Sequence, residues 1–270
     1  MKACIASLSI PGTFEEKISA IASAGFEAIE IFEPDLEAYA GDARQAAALI
    51  GDRGLEIAAL QPLRDFEGRP LSARSLALDE AERKFDLMQD LGTAFLLVCS
   101  SVAADSAGDI GRIAEDFHLL AERAAKRGFR VGYEALAWGR HIRDVSQAWT
   151  IVKQCDHPNF GLVVDSFHAL VRKNDLNIFR EIPGERIFDL QISDAPLLDM
   201  DVMQLSRRHR KRPGQGDLDV DALVKSVLAT GYAGPLCLEI FRTTSNSSPA
   251  VDLARDDYQS LMSLIKRVAG

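Results

Sequence analysis

At 270 residues, with 47% hydrophobic and 26% charged positions, the chain has the make-up of a globular protein. It is large enough to bury a core without disulfides or a structural metal. A net charge of -9 argues against general affinity for nucleic acid or anionic membrane surfaces. No run of about 18 apolar residues is present, and Ala3–Leu8 is too short for a signal peptide before Pro11-Gly12 interrupts it.

Lys2–Leu8 reads as a first strand. Thr13–Ala24 follows as a helix, with Thr13 and Glu16 in capping-box spacing and Gly25 as its stop. Ala28–Phe32 is the second strand, Ala43–Asp52 a helix, and Glu56–Leu60 the third strand. Ser72–Leu91 is a long helix ended by Gly92, before a fourth strand at Ala94–Cys99. Asp109–Arg127 is amphipathic, with Ile113, Phe117, Leu120 and Ala124 on one face. A fifth strand runs to Glu134, Val145–Cys155 is a helix, and further strands end at Asp165 and near Gln191. Ser193 to Asp219 shows no clear period, and a loop of that length is usually functional. Asp221–Thr230 is a helix, Leu236–Ile240 the eighth strand and Asp252–Val268 the last helix.

About eight strand–helix alternations, roughly 30 residues apart, fit one α/β domain over 1–270, a (β/α)8 TIM barrel. An open doubly wound sheet would place a Gly-rich turn after its first strand, but Ser9-Ile10-Pro11-Gly12-Thr13 has no GxGxxG. Cys4, Cys99, Cys155 and Cys237 show no CxxC spacing and read as reduced thiols, which implies a cytoplasmic protein.

Four strand-like runs each give way to one polar, metal-competent residue: Glu134, Asp165, Gln191 and Glu239. In a parallel barrel, equivalent strand ends converge on one mouth. One such residue alone is better explained as a helix cap, and Asp165-Ser166 fits that reading. Four in succession point to a shared divalent cation, because charges beside an apolar wall are costly unless paired or bound. Oxygen-only ligation favours Mg²⁺ or Mn²⁺ over zinc, with Co²⁺ a further candidate.

Here the chain resembles the xylose isomerase-like barrels, the sugar phosphate isomerase and epimerase superfamily. Their metal is held by groups ending the fifth to eighth strands, commonly Glu, Asp, His and Glu. Gln191 departs from that pattern, and in this it is similar to the metal-dependent 3-dehydroshikimate dehydratases. Gly132-Tyr133-Glu134-Ala135-Leu136-Ala137-Trp138-Gly139-Arg140-His141, Val164-Asp165-Ser166-Phe167-His168 and Asp189-Leu190-Gln191-Ile192-Ser193-Asp194 agree with those dehydratases. Pro213-Gly214-Gln215-Gly216-Asp217 and Leu238-Glu239-Ile240-Phe241 do so as well. Some relatives carry an additional dioxygenase-like domain after the barrel, which is not expected here.

The resemblance implies dehydration of 3-dehydroshikimate to protocatechuate, through an enediolate stabilised by the metal, in quinate and shikimate catabolism. The substrate would be a small molecule bearing a carboxylate and a vicinal hydroxyketone. His168 is the expected general base, and Glu134 a ligand that also shuttles a proton. Arg210 and Ser206, from the Arg-rich stretch Ser206–Arg212, match family positions that contact substrate. Arg69 is a second candidate for the carboxylate, against a surface ion pair. Glu33 is a candidate for substrate hydroxyls, against a helix-start role. Trp138 walls the pocket or packs, His141 orients its loop, and the Pro213–Asp217 stretch is a rigid turn. The main rival is a ketose epimerase or hydroxypyruvate-type isomerase. An abasic-site endonuclease would need a histidine-rich site, and a binding protein without turnover is the third alternative. Nothing in the sequence decides between a monomer and a homo-oligomer.

Overall fold

In the computed structural model, which describes residues 1–242 and 248–269, eight parallel strands close into a barrel in chain order. They are β1 (Ala3–Ala6), β2 (Ala28–Phe32), β3 (Glu56–Leu63), β4 (Phe95–Cys99), β5 (Arg130–Glu134), β6 (Phe160–Asp165), β7 (Ile187–Ile192) and β8 (Leu236–Leu238). Closure is made by β1 pairing with β8, with Cys4 opposite Cys237. The helices are α1 (Phe14–Ala24), α2 (Glu33–Glu37), α3 (Ala43–Gly51), α4 (Arg74–Leu91) and α5 (Ile110–Lys126). Then come α6 (Val145–Cys155), α7 (Ser166–Val171), α8 (Val202–His209), α9 (Val220–Leu228) and α10 (Ala250–Ala269).

Local chemistry explains most boundaries. Thr13 Oγ1 accepts the Glu16 N–H while Glu16 Oε2 accepts the Thr13 N–H, the reciprocal cap expected from the spacing. Gly25 closes α1 at φ 103°, a conformation costly for any residue with a Cβ. The first strand stops at Ala6 rather than Leu8. Ser7 is drawn into a 3₁₀ turn, where its Oγ accepts the Phe32 N–H and donates to Asp35. β3 runs three residues longer than expected and β8 two shorter.

Apolar residues pack on both sides of the strands. Outside, the face of α5 expected from the sequence is buried. Its Phe117 stacks on Phe160 at 4.5 Å and meets Tyr133 at 4.4 Å between ring centroids. Inside, Phe95 and Phe188 meet edge to face near the N-terminal ends of β4 and β7. Gly132 and Gly161 make that possible, since an added Cβ would come within 2.5 Å of Phe95 and 2.8 Å of Phe188 respectively. The four cysteines are free and buried. No helix among the described residues is long and apolar enough to cross a membrane.

Candidate active site

Glu134 and Asp165 are the last residues of β5 and β6, Gln191 is the penultimate residue of β7, and Glu239 directly follows β8. Asp165 pairs in register with Gln191, and Gln191 with Cys237. All four side chains are buried. The four groups therefore share the C-terminal mouth.

Their centre holds a cation belonging to the protein itself. Arg210 Nη1 donates to Asp165 Oδ2 at 2.6 Å and to Glu239 Oε2 at 3.0 Å, and also to Ser193 Oγ at 3.0 Å. Ser206 Oγ accepts from Arg210 Nε at 3.2 Å. Buried carboxylates need a counter-charge, and the guanidinium supplies one. Arg210 and Ser206 thus reach the quartet, but with the fork turned onto the protein's own carboxylates rather than towards an outside carboxylate. Asp165 does both jobs weighed for it: Oδ1 accepts the N–H groups of Phe167 and His168 at the start of α7, while Oδ2 faces Arg210.

The charges are unevenly placed. Burial works against ionised Asp165, but Arg210 outweighs it and holds this carboxyl below its ordinary range. Burial, and then the charge of Asp165, push Glu134 up to about 7. Glu239 is raised well above the usual range by burial, against the pull of Arg210. Cys99 Sγ donates to Glu134 Oε2 at 3.1 Å, a contact that nothing in the sequence announces.

His168 lies 3.6 Å through Nε2 from Glu134 Oε1 and 3.2 Å from Arg210 Nη2. Its Nδ1 accepts the backbone N–H of Ala137 at 3.1 Å. A neutral imidazole accepts at one nitrogen only. The Ala137 N–H approaches Nδ1 and Arg210 Nη2 approaches Nε2, so the tautomer decides which of the two donors is accepted. Burial, with Arg210 adding to it against Asp165, pushes His168 down to about 3. His168, the expected base, is thus brought beside Glu134 at the mouth. Trp138 stands edge-on to the ring at 4.8 Å and walls the site.

The remaining expectations divide. Glu33 begins α2 and its carboxylate is paired with Lys84 of α4. Arg69 offers its carbonyl to Arg112 and makes no hydrogen bond to the quartet among the described residues; its Nε is buried without a partner. His141 Nε2 is 2.8 Å from the Ser106 carbonyl and ties its loop down. Asp194 accepts the N–H groups of Ala195, Gly214, Gly216 and Leu218, which makes Pro213–Asp217 the rigid turn expected. The Arg-rich stretch begins inside α8 rather than in a loop. Beyond it lies a groove of about 410 Å³ whose lining includes Arg208, Arg210, Lys211, Arg212 and Arg242.

The donor set fits a divalent cation. Gln191 Oε1 is buried with no hydrogen-bond partner, an oxygen free to ligate at a strand end next to that of Asp165. Ligand atoms of Glu134, Asp165 and His168 lie within 4.8 Å of one another.

A closed parallel barrel with acidic and amide oxygens at its mouth defines a class of barrel in which chemistry sits on the strand ends. The sequence pattern of the xylose isomerase-like TIM barrel family matches residues 18–264, and the chain belongs to that family. It is 50% identical over 264 residues to a 3-dehydroshikimate dehydratase of Pseudomonas putida and 49% identical to one of Pseudomonas aeruginosa. Each alignment covers 98% of this chain, which spans 42% of the relative's length. A xylose isomerase-like TIM barrel/4-hydroxyphenylpyruvate dioxygenase fusion protein superposes with a TM-score of 0.98 at 49% identity. That match covers 99% of this chain and 43% of the fusion. An IolI protein with a bound zinc atom shares the fold at a TM-score of 0.86 and 19% identity, each chain covered to 99%.

Proposed function

We propose that the chain dehydrates 3-dehydroshikimate to protocatechuate, using a divalent cation held by Glu134, Asp165, Gln191 and Glu239. What carries the reading is Gln191. It stands at the strand end where isomerases of this fold carry His, in a chain half identical to two proteins named for this dehydration. All groups invoked belong to the one barrel.

When bound, the cation supplies Lewis acidity that polarises a ketone oxygen. The rest falls to the chain. Glu134, buried beside His168, takes the proton beside the ketone and returns it to the departing hydroxyl, which leaves as water. Loss of that water followed by tautomerisation gives the catechol. His168, neutral and 3.6 Å from Glu134, is the partner through which that proton is exchanged. This division assigns the proton to the His168–Glu134 pair, with the tautomer deciding which partner accepts. Arg210, which faces Asp165 and Glu239, would be the cation at hand for the substrate carboxylate, which a guanidinium can bind through two parallel hydrogen bonds.

The test is metal-stripped protein given 3-dehydroshikimate with and without Mg²⁺ or Mn²⁺, followed by the ultraviolet absorbance of protocatechuate. Product forms only with metal, and Asp165→Asn abolishes it. Interconversion of ketoses with 3-dehydroshikimate left untouched would overturn the assignment in favour of an isomerase or epimerase.

A further inference from the structure

An amide is an ambiguous metal ligand. Its oxygen can bind a cation and its NH₂ cannot, yet the two ends are nearly the same size and exchange by a half-turn of the last side-chain bond. Something must hold Gln191 oxygen-outward.

We propose that Glu30 is a positioning residue that fixes the orientation of the Gln191 amide; the inference rests on Gln191 being a ligand. Glu30 sits in the middle of β2, fully buried inside the barrel. Its Oε2 accepts Gln191 Nε2 at 2.7 Å and Gln61 Nε2 at 2.7 Å. Gln61 comes from β3, so the carboxylate is gripped from two strands. The thiols of Cys4 and Cys237 and the carboxyl of Asp189 are its other neighbours, and none of them is a fixed cation.

The consequence for Gln191 follows from hydrogen-bond polarity. With the NH₂ end bound to Glu30, Oε1 must face away from it, and that is the oxygen left without a partner. The flipped amide would put oxygen against oxygen at the same short separation and aim two N–H donors at the place meant for a cation. Hydrogen bonds to a carboxylate are about twice as strong as neutral ones, so the preference is decisive. Glu30 does for an amide what a carboxylate behind a metal-bound histidine does for an imidazole.

The experiment is calorimetric titration of the metal-stripped protein with Mn²⁺ alone, beside circular dichroism of each variant. Glu30→Met removes the acceptor and weakens Mn²⁺ binding by about 10- to 100-fold, the usual cost of losing such a support. Glu30→Gln keeps an acceptor oxygen and binds within a few-fold of wild type. Gln191→Glu sets two carboxylates against each other and loses affinity. Adding Glu30→Gln to that variant restores it, because the new amide then donates to the new carboxylate. A purely structural role for Glu30 predicts no such rescue. Folded Glu30→Met that binds Mn²⁺ like wild type overturns the inference. If Glu30→Met fails to fold, failure of the double variant to improve on Gln191→Glu overturns it instead. Gln191→Leu separates the two ideas. Wild-type affinity there refutes Gln191 as a ligand, and lost affinity there with unchanged Glu30→Met refutes the orienting role alone.

Discussion

Arg210 and a bound divalent cation should compete for the same two carboxylates, and Arg210→Leu measures that competition. In the metal-free protein the substitution strands Asp165 and Glu239, both buried and both paired to one guanidinium nitrogen. Breaking a buried pair in this way costs about 3–5 kcal/mol. The lower end applies, because Glu134 and Glu239 already hold protons readily and can shed part of the stranded charge by neutralising. At roughly 2–4 °C per kcal/mol for a chain of this size, metal-free Arg210→Leu melts about 6–12 °C below wild type. Mn²⁺ at a hundredfold excess over its dissociation constant adds about 2.7 kcal/mol to wild type. It adds more to the variant, where no side chain has to be displaced. Melting curves with and without Mn²⁺, and the Mn²⁺ affinity by calorimetry, read both effects. A metal-free variant that melts with wild type, or an equal metal increment in the two proteins, would refute the reasoning.

Three other outcomes are expected. Burial pushes Glu67 from 4.5 up to about 7, although it accepts from the Ser101 N–H and the Tyr133 hydroxyl. The native state therefore holds a proton that the unfolded chain has already released, so stability falls as pH rises from 4.5 through 7. The loss is about 3 kcal/mol at ~1.36 kcal/mol per pH unit, and Glu67→Gln removes it. In denaturant titrations the variant should gain on wild type between pH 5 and pH 8, and parallel curves would exclude the effect. Asp194→Ala orphans backbone donors around Pro213–Asp217 and costs about 2–4 kcal/mol, with new proteolytic nicking in that turn as its signature. Phe117→Ala empties the space between Phe160 and Tyr133 and lowers unfolding free energy by about 3–5 kcal/mol in urea, with no change in Mn²⁺ affinity.

The barrel could be read from the sequence because its strands are buried on both faces. Arg130–Glu134 and the end of the sixth strand at Asp165 stand where the apolar runs stop. The four strand-end residues were legible for the same reason, each being a polar residue that breaks such a run. α8 was not legible. Leu205, with Val202 beside it, anchors it against Phe167 and Ala195, so this short helix rests on two apolar residues rather than on a long repeating stripe. The landing of Arg210 between Asp165 and Glu239, 45 and 29 positions away, depends on barrel closure, and no local pattern announces it. Glu30 did carry a signal. A lone carboxylate at the centre of Ala28-Ile29-Glu30-Ile31-Phe32 needs a buried partner, and searching for donors on neighbouring strands would have led to Gln61 and Gln191.

The aromatic pair Phe95–Phe188, with Arg130 stacked at 4.7 Å over Phe188, stoppers the barrel at the end opposite the mouth. That end of the interior is filled by side chains rather than open through the barrel. A ligand bound at the rim would therefore have to enter and leave on the mouth side of the barrel.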